Sequence, residues 1–172
     1  GIIVGGRIVA GFNGAGGEIG HLTVDPEETE TCGCGKRGCA EQYCSATGVV
    51  RMTRRYLAAH DTPSVLRDMD FECKDVFAAA EKGDEAAKAA LEQVFEIMGR
   101  FLANIACVTD PQVIVLGGGV SKAGQFLIDG VTKYYQKYAF HACRGTRITL
   151  ATLGNDAGAY GAFKLALDAF GA

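Results

Sequence analysis

Four residues of this chain carry the atom types of a metal site at close spacing. His21 is followed, after ten intervening residues, by Cys32-Gly-Cys34-Gly-Lys-Arg-Gly-Cys39. One imidazole and three thiols form the ligand set that a tetrahedral zinc ion favours. Gly33, Gly35 and Gly38 allow the tight folding needed for three thiolates to converge, and Lys36 and Arg37 offset part of their charge. A Cys3His set is closed, so such a metal would be structural rather than catalytic. The same residues are also compatible with a buried cysteine cluster or a redox loop.

Two acids flank this set. Glu18 lies three residues before His21, and Glu41 two residues after Cys39. If one ring nitrogen of His21 binds metal, the other is left as an N–H donor between two carboxylate acceptors. That grouping suits a polyhydroxylated ligand such as a sugar; the alternative is that Glu18 and Glu41 are solvated surface acids. A third feature is glycine at turns between apolar runs and helical patterns. Gly117-Gly118-Gly119 is placed where backbone N–H groups can approach a phosphate or nucleotide, or simply make a tight turn. Gly154-Asn155-Asp156-Ala157-Gly158 repeats the pattern, and Gly11 to Gly17 precedes Glu18. No G-x4-GK[ST] sequence occurs, which excludes a P-loop.

The elements that position these residues follow from periodicity. Gly1 to Val4 and Arg7 to Ala10 flank Gly5-Gly6 as a hairpin, with Ile19 to Val24 as a third strand candidate. Residues 25–42 have neither period and form a long loop. Ser45 to Ala59 reads as a helix with Arg51, Arg54 and Arg55 on a solvated face. Asp75 to Glu81 is a short helix, and Asp84 caps a long one from Glu85 to Val108, ended by Asp110-Pro111. Gln112 to Leu116 is a strand of the kind buried on both faces. A helix from Ser121 to Phe140, a strand from Arg147 to Leu153 and a helix to Phe170 complete the chain. Hairpin, helices and βα units on one core predict an α/β fold, the ribonuclease-H-like lobe of actin-like ATPases and sugar kinases.

Composition sets the bounds. The 172 residues suit one domain, with 48% hydrophobic and 22% charged residues. A net charge of −3 argues against binding nucleic acid through bulk charge, and no apolar run is long enough to span a membrane. Seven cysteines, an odd number, do not suit a secreted disulfide scaffold. Cys73, Cys107 and Cys143 read as small buried hydrophobes in a reducing compartment, the cytoplasm. His60 and His141 are expected at the surface, and Tyr134, Tyr135 and Tyr138 in a core or interface.

Taken together, Gly16-Gly17-Glu18-Ile19-Gly20-His21 and Cys32-Gly-Cys34-Gly-Lys-Arg-Gly-Cys39-Ala-Glu41-Gln-Tyr resemble the signature of the ROK family. Pro111-Gln-Val-Ile-Val-Leu-Gly-Gly-Gly-Val-Ser121 and Leu153-Gly-Asn-Asp-Ala-Gly158 resemble its nucleotide-side segments. The family contains sugar kinases, notably bacterial glucokinases, and sugar-responsive repressors. The resemblance implies structural zinc on His21, Cys32, Cys34 and Cys39, and hexose or amino-sugar contacts from Glu18, His21 and Glu41. It implies nucleotide contacts near Gly117, Gly118 and Gly119, and at Gly48. The full enzyme would use ATP with Mg2+ and form a homodimer or larger homo-oligomer. The family's D-x-G-x-T phosphate loop and catalytic Asn-Asp pair belong to an N-terminal lobe. Asp156 sits instead in the last βα turn, so no catalytic base is expected in this chain. Residues 1–172 are therefore expected to be a C-terminal lobe, with a zinc loop at about 21–42 and nucleotide-side turns at about 112–121 and 147–158.

Overall fold

A computed structural model describes residues 1–170. The chain opens with a hairpin, β1 (Ile3–Val4) and β2 (Arg7–Ile8), paired antiparallel. Gly5 and Gly6 both take positive φ, 57° and 76°, as a two-residue turn between twisted strands requires. A 3-10 turn (Ile19–His21) leads into the loop, followed by α1 (Glu41–Cys44), α2 (Ala46–Ala59), α3 (Cys73–Glu81) and α4 (Glu85–Thr109). Then come β3 (Val113–Leu116), a 3-10 turn (Gly119–Ala123), α5 (Gln125–Tyr138), β4 (Arg147–Leu150) and α6 (Ala157–Phe170). β3 and β4 run parallel, Val113 opposite Arg147 and Leu116 opposite Leu150.

The core is helical. Asp84 caps α4 by accepting from the Ala87 N–H at 2.9 Å, and the helix ends on Asp110 in the left-handed region (φ 41°) ahead of Pro111. Its buried stripe of Leu91, Val94, Phe95, Met98 and Leu102 follows helical spacing. Each such side chain contributes roughly 1.5–3 kcal/mol of burial, before the entropy of ordering it. Phe77, Phe95 and Phe126 meet nearly edge-to-face across α3, α4 and α5, with Phe126 6.0 and 5.9 Å from the other two rings. Two glycines bring α4 and α5 into close contact. A Cβ on Gly99 would lie 2.5 Å from the Tyr134 Cβ, and one on Gly130 would lie 2.3 Å from the Phe95 ring.

Several local expectations are corrected. Ile19 to Val24 is not a strand: i→i+3 bonds close a turn over 19–21, and only Thr23 forms a bridge, to Cys39. That turn swings His21 back toward the cysteines, which extended backbone over three residues cannot do. β3 is not buried on both faces. Ile114 and Leu116 pack on the core while Val115 is 56% exposed, because the described sheet has two strands and helices on one side. α3 begins at Cys73, and its Asp75 carboxylate accepts from the Glu72 N–H at 2.8 Å. The helix expected from Ser121 is a 3-10 turn followed by α5, broken at Gly124 with φ 64°. Cys73 and Cys143 are buried as expected, but Cys107 is exposed on the outer face of α4. Among the described residues, no helix is long and apolar enough to cross a membrane.

Candidate metal loop and adjoining cleft

Residues 22–40 fold back on themselves. The Val24 N–H donates to the Gly38 carbonyl at 2.7 Å and the Ala40 N–H to the Leu22 carbonyl at 2.9 Å, joining the base of the loop. Its tip is a tight turn in which the Cys32 N–H donates to the Lys36 carbonyl at 2.7 Å and the Gly35 N–H to the Cys32 carbonyl at 2.8 Å. Gly35 and Gly38 adopt φ of 86° and 70°, and a Cβ on Gly38 would sit 1.7 Å from the Asp25 carbonyl oxygen. Only glycine is admitted there. Gly33 has no such demand: a Cβ on it meets nothing.

This folding gathers the predicted ligands. The donor atoms of His21, Cys32, Cys34 and Cys39 all lie within 4.8 Å of one another. Cys34 Sγ is 3.6 Å from Cys39 Sγ, and Cys32 Sγ is 3.9 Å from His21 Nδ1. The three cysteines are free of disulfides. Burial, reinforced by the neighbouring thiols, pushes the Cys39 thiol up to about 12. The Lys36 backbone N–H holds the exposed Cys34 thiol below its ordinary value. A divalent cation is what would stabilise several thiolates in so small a space, so the donor set fits a closed tetrahedral ion.

Two carboxylates lie beside this cluster. Glu18 Oε2 is 4.0 Å from His21 Nε2, so the ring faces thiols on one edge and a carboxylate on the other. Glu41 Oε1 is 3.7 Å from Cys32 Sγ, and its Cβ adjoins Gly20. Both carboxylates are exposed.

A second group of residues holds the loop's outer arm, and here the sequence reading needs correction. Arg51 and Arg55 do not form a solvated face. The buried Glu28 carboxylate, 1% exposed, accepts two bonds from Arg55 at 2.9 Å each, one from Arg51 and one from the Tyr43 hydroxyl at 2.5 Å. Arg51 also donates to Glu30 at 3.0 Å, as does Arg55 at 2.5 Å, and the single Tyr43 hydroxyl proton is shared between Glu28 and Asp25, the latter 2.8 Å away. The Arg55 guanidinium, then Tyr43 and Arg51, hold the Glu28 carboxyl well below the usual carboxylate range against the opposing effect of burial. Burial pushes the Tyr43 hydroxyl up. Only Arg54 keeps the expected exposure, paired with Asp70 at 2.7 Å. A readable signal was present: Arg51 and Arg55 are four residues apart on α2, one helical turn, facing the acid run Glu27-Glu28-Thr-Glu30.

Next to this group lies an open cleft of about 650 Å³, bordered by Arg51 and Arg55 and lined also by Ala46, Phe71, Gly119 and Lys122. The start of α2 meets the glycine turn here, since a Cβ on Gly119 would lie 3.1 Å from the Ala46 Cβ. Gly118 takes φ 75°, and Gly117 adjoins Ala151. Gly48 is buried behind this wall and donates its N–H to the Ser45 hydroxyl at 3.0 Å. Elsewhere, His60 and His141 lie at the surface beside Tyr56 and Phe140. Tyr135 is buried, while Tyr134 and Tyr138 donate to Glu92 and Glu96 across the α4–α5 contact.

The ROK family profile matches residues 1–169. The chain belongs to the ROK family. The glucokinase of Halalkalibacterium halodurans is 40% identical over 166 residues, covering 94% of this chain and 50% of that protein. Among solved structures, a ROK family glucokinase from Streptomyces griseus in complex with glucose and AMPPNP superposes with a TM-score of 0.83 at 31% identity, covering 95% of this chain and 55% of that one. A ROK family transcriptional regulator, a homologue of the E. coli MLC protein, gives a TM-score of 0.72 at 27% identity, covering 87% and 38%. The chain spans about half the length of the curated relatives it matches. As a member of this family, the ROK chain has the actin-like, ribonuclease-H-like kinship expected of its α/β order.

Proposed function

We propose that this chain is the C-terminal lobe of a ROK sugar kinase, a glucokinase-like enzyme that moves the γ-phosphoryl group of ATP to a hexose hydroxyl. The observation that carries this reading is the His21 ring, with Nδ1 toward the thiol cluster and Nε2 toward Glu18. With His21, Cys32, Cys34 and Cys39 holding a structural zinc, Nε2–H is fixed as a donor while Glu18 and Glu41 accept from sugar hydroxyls. The metal supplies loop geometry, not Lewis-acid chemistry, because its four positions are filled by the chain. The cleft beside Gly117, Gly118 and Gly119, with Gly48 behind it, takes the nucleotide, whose phosphates carry Mg2+. The base that removes the sugar hydroxyl proton comes from outside this chain. A cytoplasmic setting, where thiols stay reduced, suits such a ligand set.

The test uses the full-length protein that carries this segment. It should contain about one zinc per chain and release ADP only when a hexose or amino sugar is supplied. Absence of sugar-dependent ADP release across a panel of these sugars overturns the kinase reading. The likeness to a ROK regulator favours one second reading, the sugar-sensing domain of a repressor. That protein would bind sugar without turning it over and would bind operator DNA through a separate domain.

A further inference from the structure

The two arms of the 22–40 loop are held by different forces. Residues 33–40 return alongside 22–24 through backbone pairs and carry Cys34 and Cys39. Among the described residues, no backbone–backbone hydrogen bond joins residues 26–30 to anything else. That arm precedes Cys32, whose Sγ lies 3.9 Å from His21 Nδ1 and 3.7 Å from Glu41 Oε1. What fixes it is side-chain chemistry, centred on the buried Glu28 carboxylate with its two bonds from Arg55, one from Arg51 and one from Tyr43. Gln42 adds a bond from Nε2 to the Glu30 carbonyl at 3.1 Å. Tyr43 and Gln42 belong to α1, which also bears Glu41, and Arg51 and Arg55 belong to α2.

We propose that Glu28 is a positioning residue that clamps residues 25–31 to α1 and α2 independently of metal, keeping Cys32, His21 and Glu41 in register for the sugar. Burying a carboxylate is costly unless it is paired and hydrogen-bonded, and here every bond the carboxylate accepts comes from the loop or the two helices that the register depends on. The fork of Arg55 fixes orientation as well as distance. The clamp also engages Arg51 and Arg55, which border the cleft and pair with Glu30 as well. Glu28 touches neither a ligand of the metal set nor the sugar-side carboxylates, so it acts through the arm it holds.

The kinetic part of this inference rests on the sugar-kinase reading; the structural part does not. In the full-length protein, amide hydrogen exchange of a peptide spanning 25–31 is measured before and after removal of metal by a chelator under reducing conditions. Wild type should keep its protection within about threefold on stripping, whereas stripped Glu28→Gln should exchange at least about tenfold faster. With metal restored, Glu28→Gln should raise the sugar KM about tenfold with kcat within about threefold, the pattern of lost positioning for binding. Arg55→Lys, which keeps the charge and breaks the fork, serves if the first variant does not fold, and should move both readouts the same way by less. The proposal is overturned if stripped wild type loses protection as fully as the variant, or if both variants leave exchange and KM unchanged. If no form phosphorylates any sugar, the kinase reading fails while the exchange result still decides the clamp.

Discussion

Residues 1–17 and residues 22–40 are both irregular and glycine-rich, yet they are held in opposite ways. In the first segment Gly5, Gly6, Gly11, Gly14 and Gly17 all take positive φ, and the apolar Ile3, Val4, Ile8 and Phe12 face outward. Its order comes from a two-residue turn and a few backbone bonds, such as the Val9 N–H to the Ile2 carbonyl at 2.9 Å. The second segment has little apolar content of its own but buries Cys32, Cys39 and Glu28. Its conformation is set by side chains that converge from distant positions. Where a loop lacks a hydrophobic face, ligands and ion pairs can take over the role of a core.

Substitutions test that contrast, and the end bearing His21 and the three cysteines should respond most. Cys39→Ser in the full-length protein removes a fully buried thiol of the proposed ligand set; metal affinity measured by chelator competition should fall at least ~100-fold, with sugar phosphorylation lost in parallel. Gly38→Ala forces a methyl group onto the Asp25 carbonyl and should cost about 3 kcal/mol or more in denaturant unfolding. Glu28→Gln should cost about 2 kcal/mol, since it removes the buried charged acceptor of Arg51 and Arg55 and leaves them only the exposed Glu30. At the other extreme, Gly14→Ala meets no atom within 4 Å, so only the φ of 73° opposes it and about 1 kcal/mol is expected. Comparable losses at Gly14 and Gly38 would erase the distinction between the segments.

Acid separates the two supports within the loop. Metal binding needs deprotonated ligands, so the metal should leave first as pH falls. The Glu28 carboxyl is depressed in the folded state. Its contribution is therefore complete above the ordinary value of 4.5 and declines only as pH drops below that toward the folded value. Metal content and exchange at residues 25–31, followed across the same titration, should show two separate transitions; a single coincident one would mean that the metal alone holds the loop.

The helices were legible because their signals are local. Asp84, the Leu91–Val94–Phe95–Met98–Leu102 stripe and Asp110-Pro111 define α4 within a few residues of its actual ends. The gathering of His21, Cys32, Cys34 and Cys39 was legible because the four residues are close in sequence and their chemistry is specific. Glu28 was not, because its partners lie 15 to 27 residues away and an isolated arginine pair on a helix reads as surface. Val115 misled for a related reason: an apolar run shows that a strand can be buried, not how many neighbours it has. Ile19 to Val24 alternates like a strand, but the turn that aims His21 at Cys32 prevails over propensity.

The contact between α4 and α5 through Gly99 and Gly130 has a mechanical consequence. At 25 residues α4 is about 37 Å long, and with α5 pressed against it the pair resists bending as a two-ply beam does. A tilt of about 5° at one end would sweep the other through about 3 Å. Displacement is thus carried along the beam with little loss, and compliance is left to its joints: Asp110, where α4 gives way to β3, and Gly124, where the glycine turn of the cleft gives way to α5.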